Sequence, residues 1–244
     1  MLFNLRQFNR HRIQKNPTGG VVKFRIDQIM RYVIDCYLFM LDEKPRYSIS
    51  KTAKTTTYKF EDYLTSQFVE GYLNKRLYYF SQTHLDQIQF TTETTRTYID
   101  STDQKEKPDK IDIYISNINL NKELSMNSQP YFAIECKRIR NSSSFDDYII
   151  DIKKFTERIR ARLPFEGQIA FIENPNYPHS VSVEKINHKL ETHQSIKTIQ
   201  SLMPKLIDER FHGSYYSTHL KSFGENNVFA IYHLLFDFTQ IVIE

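Results

Sequence analysis

The residues best suited to chemistry fall in two stretches, KPDKIDIYIS at 107–116 and QPYFAIECKRIR at 129–140. In the second, Glu135 and Lys137 are two apart, so on a strand both project from one face while Ile134 and Cys136 point to the other. In the first, Ile111, Ile113 and Ile115 alternate with Asp112, Tyr114 and Ser116, which is again strand periodicity. A strand that sets a carboxylate beside an ammonium, next to a strand that presents Asp112, makes a compact site for a divalent cation. Oxygen ligands suit Mg²⁺, which keeps waters and is commonly held by one or two carboxylates plus substrate phosphate. Lys137 would then orient or help deprotonate an attacking water, while the metal stabilises charge developing on the phosphorus oxygens.

Two acidic residues compete for the first ligand position. Asp109 follows Pro108, but on an extended strand it shares the phase of Ile111 and Ile113, the face expected to be core. Asp112 has the opposite phase, and period-two facing favours it; Asp109 otherwise reads as a turn residue after proline. Glu61 is a third candidate. On a helical wheel it falls between Phe68 and Tyr72, inside an apolar stripe, where a carboxylate is costly unless something binds it. It equally suits the first turn of a helix, where the macrodipole favours an acid. Glu70 points away from that stripe.

The elements that would position these residues follow from periodicity. Residues 1–23 are polar and basic and end in a turn-like run, Asn16 to Gly20. The spacing predicts helices over Phe24 to Leu41 and Phe60 to Tyr79, with a Thr- and Lys-rich linker from Asp42 to Tyr58. Strands are predicted over Phe90 to Ile99, Lys110 to Ser116 and Tyr131 to Arg138, then an amphipathic helix from Phe145 to Ile159. Its outer face carries Lys153, Lys154 and Arg158, which suit phosphate contacts or simply a solvated face. A strand at Gln168 to Ile172, a helix over Val183 to Leu202 and strands near Tyr215 to His219 and Val228 to Phe236 complete the chain. The fold class is α/β, with a central mixed sheet flanked by helices and a basic N-terminal extension, residues 1–58, holding one helix before a domain at 59–244.

Composition closes off other chemistries. Six glycines in 244 residues leave no GxGxxG turn and no phosphate-cradling loop, so no nucleotide cofactor is expected. Two cysteines form neither a disulfide framework nor a zinc module, which fits a reducing, cytoplasmic setting. No apolar run approaches a membrane span, and the first residues lack the apolar centre of a secretory signal. Residues 1–60 hold 12 Lys and Arg against 4 Asp and Glu, a basic front end on a more acidic body, as suits a polyanion partner. His219 and His233 read as structural histidines on strands, and Cys136, facing away from its neighbours, as a packed thiol.

A Pro-Asp leading into a strand, a loop, then a buried strand reading IECKR resembles the PD-(D/E)XK nuclease superfamily, over roughly residues 60–175. The predicted order of helix, three strands, helix and strand is similar to that family's restriction-endonuclease-like core. The resemblance implies a Mg²⁺-dependent endonuclease, with Mn²⁺ as a substitute, that cuts DNA phosphodiester bonds. Asp112 or Asp109, with Glu135, would be the metal ligands, Lys137 would lie near the water, and Glu61 would be the helical Glu that the family often carries. It also implies a restriction or phage-defence setting and partner proteins. A homodimer follows from the two centres that a duplex cut usually needs. The alternative from another class is a noncatalytic scaffold, with Glu135 and Lys137 as an ordinary ion pair.

Overall fold

The computed structural model describes residues 18–77, 88–100, 103–117, 131–159, 165–222 and 227–244. The described residues open with helix α1 (Thr18–Glu43), whose Ile26, Met30, Val33, Ile34, Tyr37 and Met40 recur every three or four residues and are buried together. Lys44, at φ 50°, turns its backbone into the left-handed region and donates its N–H to the Met40 carbonyl at 3.1 Å, closing the helix. Strand β1 (Tyr47–Ser48) follows, then α2 (Ile49–Thr55), which starts because the Ser48 hydroxyl accepts from the Lys51 amide at 3.1 Å.

Helix α3 (Phe60–Phe68) widens into a π-helical turn (Val69–Asn74) and ends in one more turn (Lys75–Leu77). Two carbonyls of this wide turn are met from α1. The Tyr32 hydroxyl donates to Leu73 O, and the Cys36 thiol to Tyr72 O at 3.7 Å.

Strands β2 (Ile88–Asp100), β3 (Glu106–Asn117) and β4 (Tyr131–Ile139) form an antiparallel meander. Helix α4 (Ser144–Glu157) and the two-residue β5 (Arg158–Ile159) lead to β6 (Phe165–Ile172), which lies parallel to β4. After α5 (His179–Thr192) come β7 (Thr198–Pro204), β8 (Ser214–Leu220), β9 (Val228–Asp237) and β10 (Val242–Ile243). The eight-stranded mixed sheet has the order β5-β2-β3-β4-β6-β9-β8-β7; β1 and β10 pair apart from it. The inner strands β4, β6 and β9 run parallel, and every residue of β6 is buried, as a strand covered on both faces requires.

Helices cover both faces. On one side α1, α3 and the wide turn pack against Ile113, Ile115, Phe132, Ile134, Cys136, Tyr232 and Phe236. On the other, α4 and α5 pack against Ile139, Ala170, Ile172, Ile231 and Leu235. Gly167 marks a close approach between β6 and β4, since a Cβ there would stand 2.7 Å from Ile134 Cγ1.

Four expectations need correction. Helix α1 starts at Thr18 and takes in Gly19 and Gly20, because the apolar stripe behind them outweighs a local turn preference. The presumed linker at Asp42–Tyr58 holds β1 and α2, so the described part of the N-terminal region has two helices rather than one, and α1 belongs to the same hydrophobic core as the sheet. The helix expected over Val183–Leu202 stops at Thr192, and the β-branched Thr198 and Ile199 open strand β7 instead. Finally, Arg158 does not lie on an outer helix face: it is buried in β5. The polar loop at 117–128 and the far end of the helix expected to reach Tyr79 lie outside the described residues, apart from the strand residue Asn117.

Candidate active site at the parting of β3 and β4

The ladder between β3 and β4 runs from Ser116↔Tyr131 only to Ile113↔Ile134. Beyond that point the strands part, and the next outward-facing amides of β4 are met by carboxylates rather than by backbone. Cys136 N–H donates to Asp112 Oδ2 at 2.8 Å, and Arg138 N–H to Glu61 Oε2 at 3.0 Å. A strand edge that ends in two side-chain acceptors satisfies its backbone while keeping charge at the opening.

Glu61 also pairs with Lys137, Oε1 to Nζ at 2.9 Å. Thus the four residues singled out from the sequence, Glu61, Asp112, Glu135 and Lys137, meet at one place from three elements. Burial, then the like charge of Glu135, holds the Asp112 carboxyl well above the usual carboxylate range. Burial likewise raises Glu135, against the lowering pull of Arg158. Burial works to lower Lys137, but Asp151, Glu61 and Asp112 outweigh it and keep the ammonium protonated.

Asp109 reaches the same cluster by an unexpected route. Ile111 packs with Tyr114 and Ala133 rather than with Ile113 and Ile115, so the alternation of β3 breaks between them. The break lies where β2 carries Glu93 at φ 50° and where the Glu93–Asp112 pair drops out of the ladder. Asp109 therefore does not join the apolar face. It is buried, with Oδ1 2.5 Å from Arg158 Nη2, and the same guanidinium holds Glu135 Oε1 at 2.9 Å.

Asp151 was not anticipated. It is 1% exposed on the sheet-facing side of α4, with Oδ2 3.3 Å from Lys137 Nζ and Oδ1 2.8 Å from Lys154 Nζ. The signal was available, because Asp151 lies on the stripe of Tyr148, Ile152 and Phe155, the same anomaly that singles out Glu61. Of the three basic residues, Lys153 stays on the surface 3.6 Å from Glu157, Lys154 is exposed but leans on Asp151, and Arg158 turns inward. Cys136 is fully buried on the opposite face, where burial raises its thiol.

A neutral network lies beside the charged one. Tyr148 Oη is 2.7 Å from His233 Nδ1; His233 Nε2 is 2.7 Å from Ser217 Oγ; Ser217 Oγ is 2.8 Å from His219 Nε2; and His219 Nδ1 is 3.2 Å from Thr198 Oγ1. Burial lowers His219 to about 4 and His233 well below its ordinary value, so both rings are neutral at pH 7.

Among the described residues, no group of three or more His, Cys, Asp and Glu side chains is arranged to enclose a metal ion, and no helix is long and apolar enough to cross a membrane. Compared with family models, curated proteins and solved structures, the chain matches none of them.

Proposed function

We propose that this chain is a metal-dependent nuclease that hydrolyses DNA phosphodiester bonds, of the PD-(D/E)XK kind that its sequence resembles. The observation that carries the reading is the meeting of Glu61, Asp112, Glu135 and Lys137 at the parting of β3 and β4. Helix α3, the β2-β3-β4 meander, crossover helix α4 and parallel β6 also follow the element order of the restriction-endonuclease-like core.

The donor set fits Mg²⁺ or Mn²⁺. Asp112 and Glu135 offer hard carboxylate oxygens; burial and then the charge of Glu135 raise Asp112, and a cation held by both would offset these costs. When bound, the metal would supply Lewis-acid stabilisation of charge on the phosphate and a more acidic water. Asp112 and Glu135 would hold it, with Asp109 as the competing ligand. Lys137, braced by Glu61 and Asp151, presents a fixed ammonium that orients the attacking water and faces the developing charge. Lys153, Lys154 and the basic residues of 1–60 would grip the phosphate backbone, making binding steeply salt-dependent. A cytoplasmic restriction or phage-defence role, as a homodimer or with partner proteins, extends the same reading.

A noncatalytic scaffold for nucleic acid or protein is favoured by one observation: Glu135, Asp109, Glu61 and Asp151 each already face an internal cation. Plasmid incubated at low salt with Mg²⁺ or Mn²⁺ separates the two. The nuclease reading expects cleavage by the wild type and none by Lys137→Ala. No cleavage, or equal cleavage by both, overturns it. Comparing Asp109→Asn with Asp112→Asn assigns the ligand, and the expected loss is with Asp112.

A further inference from the structure

We propose that Arg158 is a resident cation that closes the carboxylate cluster and must be displaced before a divalent metal ion can bind; this rests on the metal site of the nuclease reading. Its guanidinium spans two buried acids, Asp109 at 2.5 Å and Glu135 at 2.9 Å, with a side chain only 6% exposed. Neither acid can stay ionised in that position without a counterion, since breaking a buried pair strands a charge. The guanidinium occupies Glu135 Oε1 and Asp109 Oδ1 together, and a metal ion that takes those same oxygens has to replace it there.

The surroundings fix the backbone and leave the side chain as the moving part. Lys221 Nζ binds the Phe155 carbonyl at 2.5 Å and lies 3.5 Å from the Arg158 carbonyl, while Ser222 N–H donates to Thr156 O at 2.9 Å. Strand β5 pairs Arg158 with Asp100 of the β2 end. Arg158 Nε finds no acceptor among the described residues, so the guanidinium fills the site without using all its donors. The guanidinium carbon already lies over the half-buried Tyr98 ring, 5.5 Å from its centre, a contact that does not depend on the two acids. Around the cluster, five carboxylates (Glu61, Asp109, Asp112, Glu135, Asp151) outnumber the cations Lys137, Lys154 and Arg158, which leaves room for added positive charge.

The test is Mn²⁺ binding by the full-length chain, read by titration calorimetry and by the shift in unfolding temperature. Arg158→Gln removes the charge and keeps a polar side chain. The expected result is a lower Tm in chelator, Mn²⁺ affinity at least about tenfold tighter than wild type, and a larger Mn²⁺-induced rise in Tm. Arg158→Lys, which keeps one charge but cannot span both acids, is expected to fall between. Should Arg158→Gln fold only when Mn²⁺ is present, that dependence supports the exchange. Equal or weaker Mn²⁺ affinity in Arg158→Gln overturns it, as does an Arg158→Lys protein that binds Mn²⁺ like wild type when the Gln variant folds under neither condition. Plasmid cleavage by wild type with unchanged affinity in the variant removes this proposal alone. No Mn²⁺ binding by any of the proteins, with no cleavage, removes the nuclease reading as well.

Discussion

Beneath α4 lie two buried polar clusters, the charged one around Glu135 and Lys137 and the neutral one from Tyr148 through His233, Ser217 and His219 to Thr198. The neutral chain can be satisfied by one direction of donation. Tyr148 donates to His233, His233 to Ser217, Ser217 to His219 and His219 to Thr198, with each group donating once and both rings uncharged. Nothing more is needed there. The charged cluster has no such closed solution: its acids outnumber its bases, its strand pairing has been given up, and two carboxylates are pushed towards protonation. Completed hydrogen bonding marks a cluster that specifies the core, and on the nuclease reading the unrelieved charge of the other is what a cation would answer.

Substitutions should separate the two accordingly. On the nuclease reading the largest effect expected is in the charged cluster, where Lys137→Met should cut plasmid cleavage by the folded protein by about 10³-fold or more and also lower Tm, because it strands Asp151 and Glu61; near-normal cleavage by the folded fraction would make Lys137 a structural ion instead. His233→Phe should act on stability alone, costing about 2–4 kcal/mol in denaturant unfolding while the folded fraction cleaves normally. Glu61→Gln, which keeps one acceptor for the Arg138 amide but loosens Lys137, should slow cleavage by about 10- to 100-fold. The smallest expected effect is Ser217→Ala, about 1–2 kcal/mol of stability with cleavage unchanged.

Acidity supplies a further contrast. His219 is neutral in the fold down to about pH 4, while in the unfolded chain it titrates near its ordinary value of about 6.5. The unfolded state therefore takes up protons first, and stability should fall as pH drops from about 6.5 towards 4. Unfolding midpoints across that window should show the slope, and His233→Phe, which breaks the relay, should change it.

How much of this was legible in the sequence depended on whether a residue's role is set by its own element. In IECKR the alternation sets Glu135 and Lys137 opposite Cys136 as read, because strand period alone fixes facing, whereas in Lys110–Ser116 it holds only from Ile113 onward, Ile111 having joined Tyr114 on the other face. Glu61 lies in the first turn of α3 and also reaches Lys137 and the Arg138 amide, so both readings that the sequence left open describe its place. Asp109 was misjudged because a positive-φ residue on the neighbouring strand, Glu93, breaks the phase of β3, and no local pattern on β3 records that. Arg158 was misjudged because helical periodicity was carried past Glu157, where the chain turns extended and swings the side chain inward. Strand β7 escaped notice because its sheet partner lies about 15 residues further on, and pairing across that gap overrides local preference.

The wide turn at Val69–Asn74 limits where the chain can be divided. A boundary near residue 58 looks natural from charge and composition, yet cutting there would remove the Tyr32 hydroxyl and Cys36 thiol that serve the Leu73 and Tyr72 carbonyls, along with the apolar face they sit in. The helix that carries Glu61 would then lose the partner that fixes its rotation. Helix α1 is in this sense a foundation under the helix that carries Glu61, and a shortened protein lacking it would lose the placement of Glu61 against Lys137 while keeping both residues.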